Sequence, residues 1–250
     1  MKILRSIIRM YLYTQYFFNR ATSSGSFGKG GANYIKDMEK PANLLKSNLI
    51  KHHVKQFNEA SCSVASVVSA VNAAMDLQNI TYKEPLTQQK ILEDVKAHKW
   101  QKRMSSEGDN GKRGLPLYML GDIVKDSFET YKIQFKSIET VQADRDTENA
   151  KGIKALLLER LKSFENEGNC LILAHFNQGI YVKTIQLPHI SPVGGYDEVT
   201  GNVTMLDVDP EQTLFYEISF DRFYEGISNN YNNVFSSFGY KSGGYIIIQL

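Results

Sequence analysis

Between Ser61 and Asp76 the chain reads Cys-Ser-Val-Ala-Ser-Val-Val-Ser-Ala-Val-Asn-Ala-Ala-Met. With Val64, Ala65, Val67, Val68, Ala70, Val71, Ala73, Ala74 and Met75 the run is too apolar for a surface helix, so the pattern predicts a central buried helix that opens at Cys62. The polar run Gln56-Phe57-Asn58-Glu59-Ala60-Ser61 before it reads as a loop. Further on, Thr87 to His98 is a helix candidate with Thr87 as its cap and Ile91, Leu92 and Val95 as its stripe. Leu117 to Phe128 predicts another helix. Tyr131 to Ile138 alternates and predicts a strand. Gly152 to Phe164 places Ile153, Leu156, Leu157, Leu161 and Phe164 on one helical face. From residue 169 the pattern turns β-rich, with strands expected at Cys170 to Phe176, Ile180 to Leu187, Gly194 to Val199, Val203 to Val208 and Tyr245 to Leu250. Thr200-Gly201-Asn202 supplies turn chemistry between two of them. Helices first and antiparallel strands after predict an α+β fold, with a helical half and a sheet half meeting at a cleft.

The ends of the pattern differ from its middle. Residues 1–20 place Ile3, Ile7, Met10, Phe17 and Phe18 near one helical face and Arg5 and Arg9 on another. They fall short of the roughly 20 apolar residues of a membrane span. Arg5 and Arg9 interrupt the apolar centre a signal peptide needs. Targeting, as a poor export signal or an amphipathic membrane-surface helix, stands level with a helix that packs on the domain. Residues 22–33 are small and flexible and read as a linker. Gly28-Lys29-Gly30-Gly31 within them lacks the Ser/Thr ending of a phosphate loop. The division expected is a basic segment and linker at 1–36 and a folded domain at 37–250.

Composition adds little until it is split. The 250 residues carry a net charge of +2, which gives no reason to expect nucleic acid. Residues 1–36 hold six cations and no acid, leaving 23 cations and 27 acids for the rest. The basic end is thus a separate feature. Two cysteines, Cys62 and Cys170, exclude a disulfide scaffold and a cysteine-based zinc site. Cys170 opens a strand-like run and reads as packing.

The chemistry then turns on Cys62. A cysteine in the first turn of a helix lies where the dipole favours a thiolate. Most single cysteines in apolar runs only pack. Gln56, one short loop upstream, can aim its amide at an oxyanion beside the sulfur. A thiol nucleophile also needs a base and a group to orient it. His52 and His53 lack the ligands of a metal set and read as a solvated loop. His98 reads as surface and His175 as a buried strand residue. His189 differs: Pro188, Pro192, Gly194 and Gly195 fix the backbone around it and leave room beyond it. Asp207, on the returning strand, can accept the second imidazole N–H. Asp209 lies one pleat further and is a rival that alternation alone does not separate. The stretch Ser105 to Gly114 reads as a surface excursion or a substrate loop.

Gln56-x5-Cys62 with Ala65-Ser66, His189-x-Ser-Pro-Val-Gly-Gly-Tyr196, and Leu206-Asp207-Val208 together resemble the phytochelatin synthase family. The resemblance covers roughly residues 45–248. It implies a papain-like cysteine enzyme acting on glutathione, with Cys62 as nucleophile, His189 as base, Asp207 as orienter and Gln56 as oxyanion donor. It also selects Asp207 over Asp209. Three departures are visible. Ser63 stands where relatives carry glycine, Gly243 where they tend to carry arginine, and the cysteine-rich extension of the plant enzymes is missing, as in the short bacterial members.

What the resemblance implies is a glutathione γ-glutamylcysteinyltransferase or a hydrolase that releases glycine from glutathione. No tightly bound cofactor is expected; heavy metal ions such as cadmium would enter as glutathione thiolate complexes. Glutathione or a related short thiol peptide is the expected partner, membrane-surface contact through residues 1–20 and a homodimer being compatible additions. The compartment, cytoplasmic or exported, turns on whether residues 1–20 act as a signal. Two rival readings are a papain-like peptidase for another short peptide and a non-catalytic binding module of the same fold.

Overall fold

The computed structural model describes residues 2–22, 31–38, 41, 43–145, 147–182, 186–231, 233–236 and 239–250. The stretch expected to be a linker lies mostly outside the described residues. α1 (Lys2–Thr22) is the amphipathic N-terminal helix. A short edge strand β1 (Asn33–Tyr34) and α2 (Leu44–Lys51) follow. The Asn43 side chain caps α2 by accepting from the Lys46 N–H at 3.1 Å.

The expected core helix is α3 (Cys62–Leu77), with fourteen of its sixteen residues buried. Its four valines contribute roughly 1.5–3 kcal/mol each through burial. Its alanines and serines let neighbouring elements approach closely. α2, α4 (Gln88–Asp94), α6 (Leu117–Thr130) and the sheet all pack on it.

Thr87 caps α4 as expected, accepting from the Lys90 N–H at 3.1 Å. The helix expected to run to His98 stops at Asp94 instead. Val95 is extended, a 3₁₀ turn spans Ala97–Lys99, and α5 (Trp100–Arg103) starts afresh. His98 (φ 51°) and Lys99 (φ 53°) are both left-handed, a costly conformation for residues with a Cβ. Burial of Trp100 accompanies the break.

The strand expected at Tyr131 to Ile138 is corrected. Tyr131 closes α6, Lys132 is left-handed at φ 56°, and the Ile133 N–H returns to the Phe128 carbonyl at 2.9 Å. Tyr131 and Ile133 alternate because both tuck under the helix end. The strand itself, β2 (Ser137–Gln142), begins later and pairs with β7 (Gly244–Gln249). α7 (Ala150–Glu167) ends at Gly168, in the left-handed conformation of a helix stop.

One antiparallel sheet runs in the order β1-β6-β5-β4-β3-β7-β2. Its centre is β3 (Cys170–Asn177), buried throughout, and β4 (Pro188–Asp197). The strand expected at Ile180 to Leu187 is also corrected. Asn177 caps a turn of helix, α8 (Gln178–Tyr181), and residues 183–185 lie outside the described residues. β4 starts six residues before the strand expected from Gly194. Its first half pairs with β3 and its second half with β5 (Asn202–Met205), the register shifting between Val193 and Gly195. Gly194 sits in that shift, where a Cβ would stand 2.6 Å from Leu206. β6 (Tyr216–Ser219) and α9 (Phe220–Ile227) lie in a stretch for which the pattern predicts no element. The architecture is α+β with an antiparallel sheet, as expected. No described helix is long and apolar enough to cross a membrane.

Candidate active site

Cys62 is the first residue of α3 and is 8% exposed. At that position its backbone N–H has no acceptor within the helix. Ser61, before it, spends its hydroxyl on the Asn58 backbone and makes no cap to the helix. The N-terminal donors of α3 therefore stay uncapped by that side chain beside the sulfur. Ser66, one turn on, places its hydroxyl 2.8 Å from the Cys62 carbonyl and 3.0 Å from the Ile190 carbonyl. This fixes the cysteine turn to the strand that carries His189.

His189 stands in β4, not in an open loop, and only 6% of it is exposed. Its Nε2 lies 2.8 Å from Asp207 Oδ1. Its ring meets Phe176 edge-on, with centroids 5.4 Å apart. Nε2 being occupied, Nδ1 is the ring nitrogen left over, and Cys62 lies close enough to act on the imidazole. Burial alone pushes the imidazole down. The Asp207 charge, the Asp207 hydrogen bond and then Cys62 outweigh it and hold His189 well above its usual value.

Asp207 lies beyond the end of β5 and is completely buried. Besides His189, Oδ1 accepts the Asp209 N–H at 2.9 Å, with the Ser191 hydroxyl 3.4 Å away. Oδ2 accepts the Tyr216 hydroxyl at 2.7 Å. Burial raises this carboxyl, but His189 and the other donors overcome it and bring it to about 2. Asp209 turns elsewhere: its carboxylate accepts from Gln178 Nε2 at 2.7 Å and from the Glu211 N–H at 2.9 Å. Pleat alternation could not separate the two because the chain has left the sheet after Met205.

The same backbone is held from the helical half. Lys55 Nζ donates to the Asp207 carbonyl at 2.6 Å and to the Gln212 carbonyl at 2.7 Å. The Gln56 N–H donates to the Val208 carbonyl at 2.8 Å, which ties the loop before Cys62 to the segment carrying Asp207. Gln56 Oε1 is buried without a partner among the described residues. His52 is buried and His53 half-buried, so the expected solvated loop is more enclosed than the pattern implies. His52 Nε2 lies 2.8 Å from Asp76, while His53 faces the Leu206 and Asp207 carbonyls at 3.1 and 3.2 Å. Burial, with Lys55 beside it, lowers His53 to about 4.

Ser63, behind the sulfur, has a definite task. It accepts the Trp100 indole N–H at 3.1 Å and lies 3.7 Å from the Met104 sulfur. His175 is buried, as expected, with Nε2 3.2 Å from the Leu115 carbonyl and Nδ1 2.9 Å from the Tyr231 hydroxyl. Burial, ahead of all else, lowers it to about 4. Cys170 is free and buried; burial raises its thiol to about 12. At Gly243 a Cβ would fall 2.4 Å from the Ile227 carbonyl and 2.5 Å from that of His175, so this backbone admits no side chain there.

Sequence reasoning missed Tyr216, Ser191 and Lys55, which hold Asp207, and Trp100, which holds Ser63. None lies in a periodic run that points to the site; the one visible signal was Ser191 within His-x-Ser-Pro. No cluster of three or more metal-ligating side chains occurs among the described residues.

No curated protein matches the chain at a significant level. The family model for phytochelatin synthase, by contrast, matches residues 38–230. That span contains Gln56, Cys62, His189 and Asp207. With a match over most of its length, the chain belongs to the phytochelatin synthase family and shares, in general terms, its glutathione-related transferase function.

Proposed function

We propose that the chain is a papain-like cysteine enzyme that cleaves the cysteinyl–glycine bond of glutathione through a γ-glutamylcysteinyl thioester on Cys62. The observation that carries this reading is the hydrogen bond from His189 to a fully buried Asp207, with Cys62 close enough to act on the same imidazole. Asp207 holds the imidazole through Nε2 and leaves Nδ1 to serve the sulfur.

The sulfur attacks the carbonyl carbon between cysteine and glycine. The oxyanion is met by the Cys62 backbone N–H and the Gln56 amide. As the tetrahedral centre collapses, the C–N bond breaks and the proton on His189 passes to the glycine nitrogen. Neutral His189 then takes a proton from the acceptor as that acceptor attacks the thioester and frees the sulfur. Water as acceptor gives γ-glutamylcysteine. The amine of a second glutathione gives the longer peptide. Heavy metal ions enter as thiolate complexes of the substrate, outside the protein's own ligands.

Incubation with glutathione followed by amino-acid analysis tests the reading. Free glycine is expected from the native chain and none from Cys62→Ser or His189→Ala; glycine from Cys62→Ser would sink it. Gly243 favours one second reading, a different short peptide substrate. It is tested by labelling Cys62 with a thiol-reactive peptide in a protein that leaves glutathione intact.

α1 adds a surface function to this proposal. Ile7, Met10 and Phe17 are exposed by 52%, 66% and 71%, in a segment whose charged residues are all basic. Such a helix suits an anionic membrane surface. Sedimentation with anionic vesicles, compared between the full chain and one lacking residues 1–36, tests it; equal partition removes the idea.

A further inference from the structure

Arg103 closes α5 with 95% of its surface buried, and no acid neutralises it among the described residues. The nearby acids are engaged elsewhere. Asp109 lies 3.5 Å from Lys99 and 3.4 Å from Lys102, and Glu59 lies 3.4 Å from Arg113. One guanidinium nitrogen, Nη1, donates to the Gly114 carbonyl at 2.9 Å. Nε is buried with no partner among the described residues. A buried cation with an unmet donor is expensive unless something anionic completes it.

Arg103 belongs to the same neighbourhood as Cys62. The residues around it reach the nucleophile's own turn: Trp100 holds Ser63, and the Met104 carbonyl accepts from Asn58 Nδ2 at 2.9 Å, in the loop before Cys62. Tyr240 lies on the other side of Gly114, where a Cβ would meet its hydroxyl at 2.3 Å. That hydroxyl is raised by burial first and then by Cys62, with Arg103 opposing, so it lies within the field of both. The two left-handed residues before α5, His98 and Lys99, are strained backbone of the sort retained where a side chain must be aimed.

We infer that Arg103 is a substrate-positioning residue whose free guanidinium edge holds a carboxylate of the peptide while Cys62 attacks. This rests on the thiol-peptide reading for the identity of the ligand, but not for the existence of an anion site. Glutathione offers two carboxylates, one on the γ-glutamyl residue and one on glycine. Arg103 matches either through paired N–H donors.

Two measurements on Arg103→Gln and Arg103→Lys test the inference. Glutamine keeps an N–H for the Gly114 carbonyl and removes the charge; lysine keeps the charge and loses the fork. With glutathione, Arg103→Gln is expected to lower kcat/KM about 10- to 100-fold, chiefly through KM, and Arg103→Lys less. The loss should vanish with γ-aminobutyryl-cysteinyl-glycine if the γ-glutamyl carboxylate is held, or with the glycinamide of glutathione if the glycine carboxylate is held. An undiminished loss with both analogues overturns the inference. The second measurement needs no turnover. The rate of Cys62 alkylation by iodoacetate, divided by that by iodoacetamide, should fall several-fold in Arg103→Gln and recover in Arg103→Lys. An unchanged ratio also overturns it. A native protein inert to glutathione but with this ratio behaviour would remove the glutathione reading and leave the anion site standing.

Discussion

The Tyr216 hydroxyl donates to Asp207 Oδ2 at 2.7 Å, on the carboxylate oxygen that His189 does not use. Neither group is exposed to solvent. The orienting acid is thus itself oriented, from β6, a strand away from the hairpin that delivers it. Tyr216→Phe removes this donor and leaves a buried carboxylate oxygen short of a bond. A hydrogen bond to a charged group contributes about 1.5–3 kcal/mol. Urea unfolding should register a loss of that order, and glycine release should fall by about tenfold as His189 loses its fixed orientation. A variant as stable and as active as the native chain would show that Asp207 needs no second support.

The pH dependence of stability follows from the same pair. Asp207 is depressed from 3.8 to about 2, so its contribution is complete above pH 3.8 and is lost as pH falls through about 2. His189 is raised well above 6.5, so its contribution is complete below pH 6.5 and is lost as pH rises through that higher folded value. Urea midpoints should therefore be highest between about pH 4 and 6.5 and decline on both sides. Asp207→Asn should flatten both limbs, and unchanged limbs in that variant would assign them to other groups.

Ser63 predicts a stability effect separable from catalysis. Ser63→Gly leaves the buried Trp100 indole N–H without its acceptor, costing about 1–3 kcal/mol. Glycine inside a helix adds about 1 kcal/mol. A lower thermal midpoint is expected, with near-native glycine release per folded molecule. A large loss of turnover at full stability would instead place Ser63 in the chemistry.

The long unbroken signals were legible in the sequence: α3 by its high apolar content, α7 by its stripe, and β3 and β7 by continuous apolar runs. Cys62 and His189 were readable from their short, unusual contexts, whereas Asp207 was separated from Asp209 only by the family resemblance; the structure sets Asp207 against His189. What stayed hidden has physical reasons. Tyr131 and Ile133 mimicked a strand because a helix end followed by a left-handed turn also buries alternate residues. α8 was hidden because its fourth residue, Tyr181, enters an apolar neighbourhood that strand patterning describes equally well. Tyr181 stacks on Phe176 with centroids 4.5 Å apart. Arg103 could not be found from the pattern, since burial of an arginine next to a kink depends on tertiary contacts alone.

The central claim is an acyl group on Cys62, and trapping that group tests it most directly. The native chain is mixed with glutathione, quenched in acid within the first turnover, and weighed intact. The account predicts a mass gain of one γ-glutamylcysteinyl group, located on Cys62 and not Cys170, with one equivalent of glycine released in the same interval. Glycine released at the native rate with no adduct on Cys62, or an adduct that persists in Cys62→Ser, would contradict it.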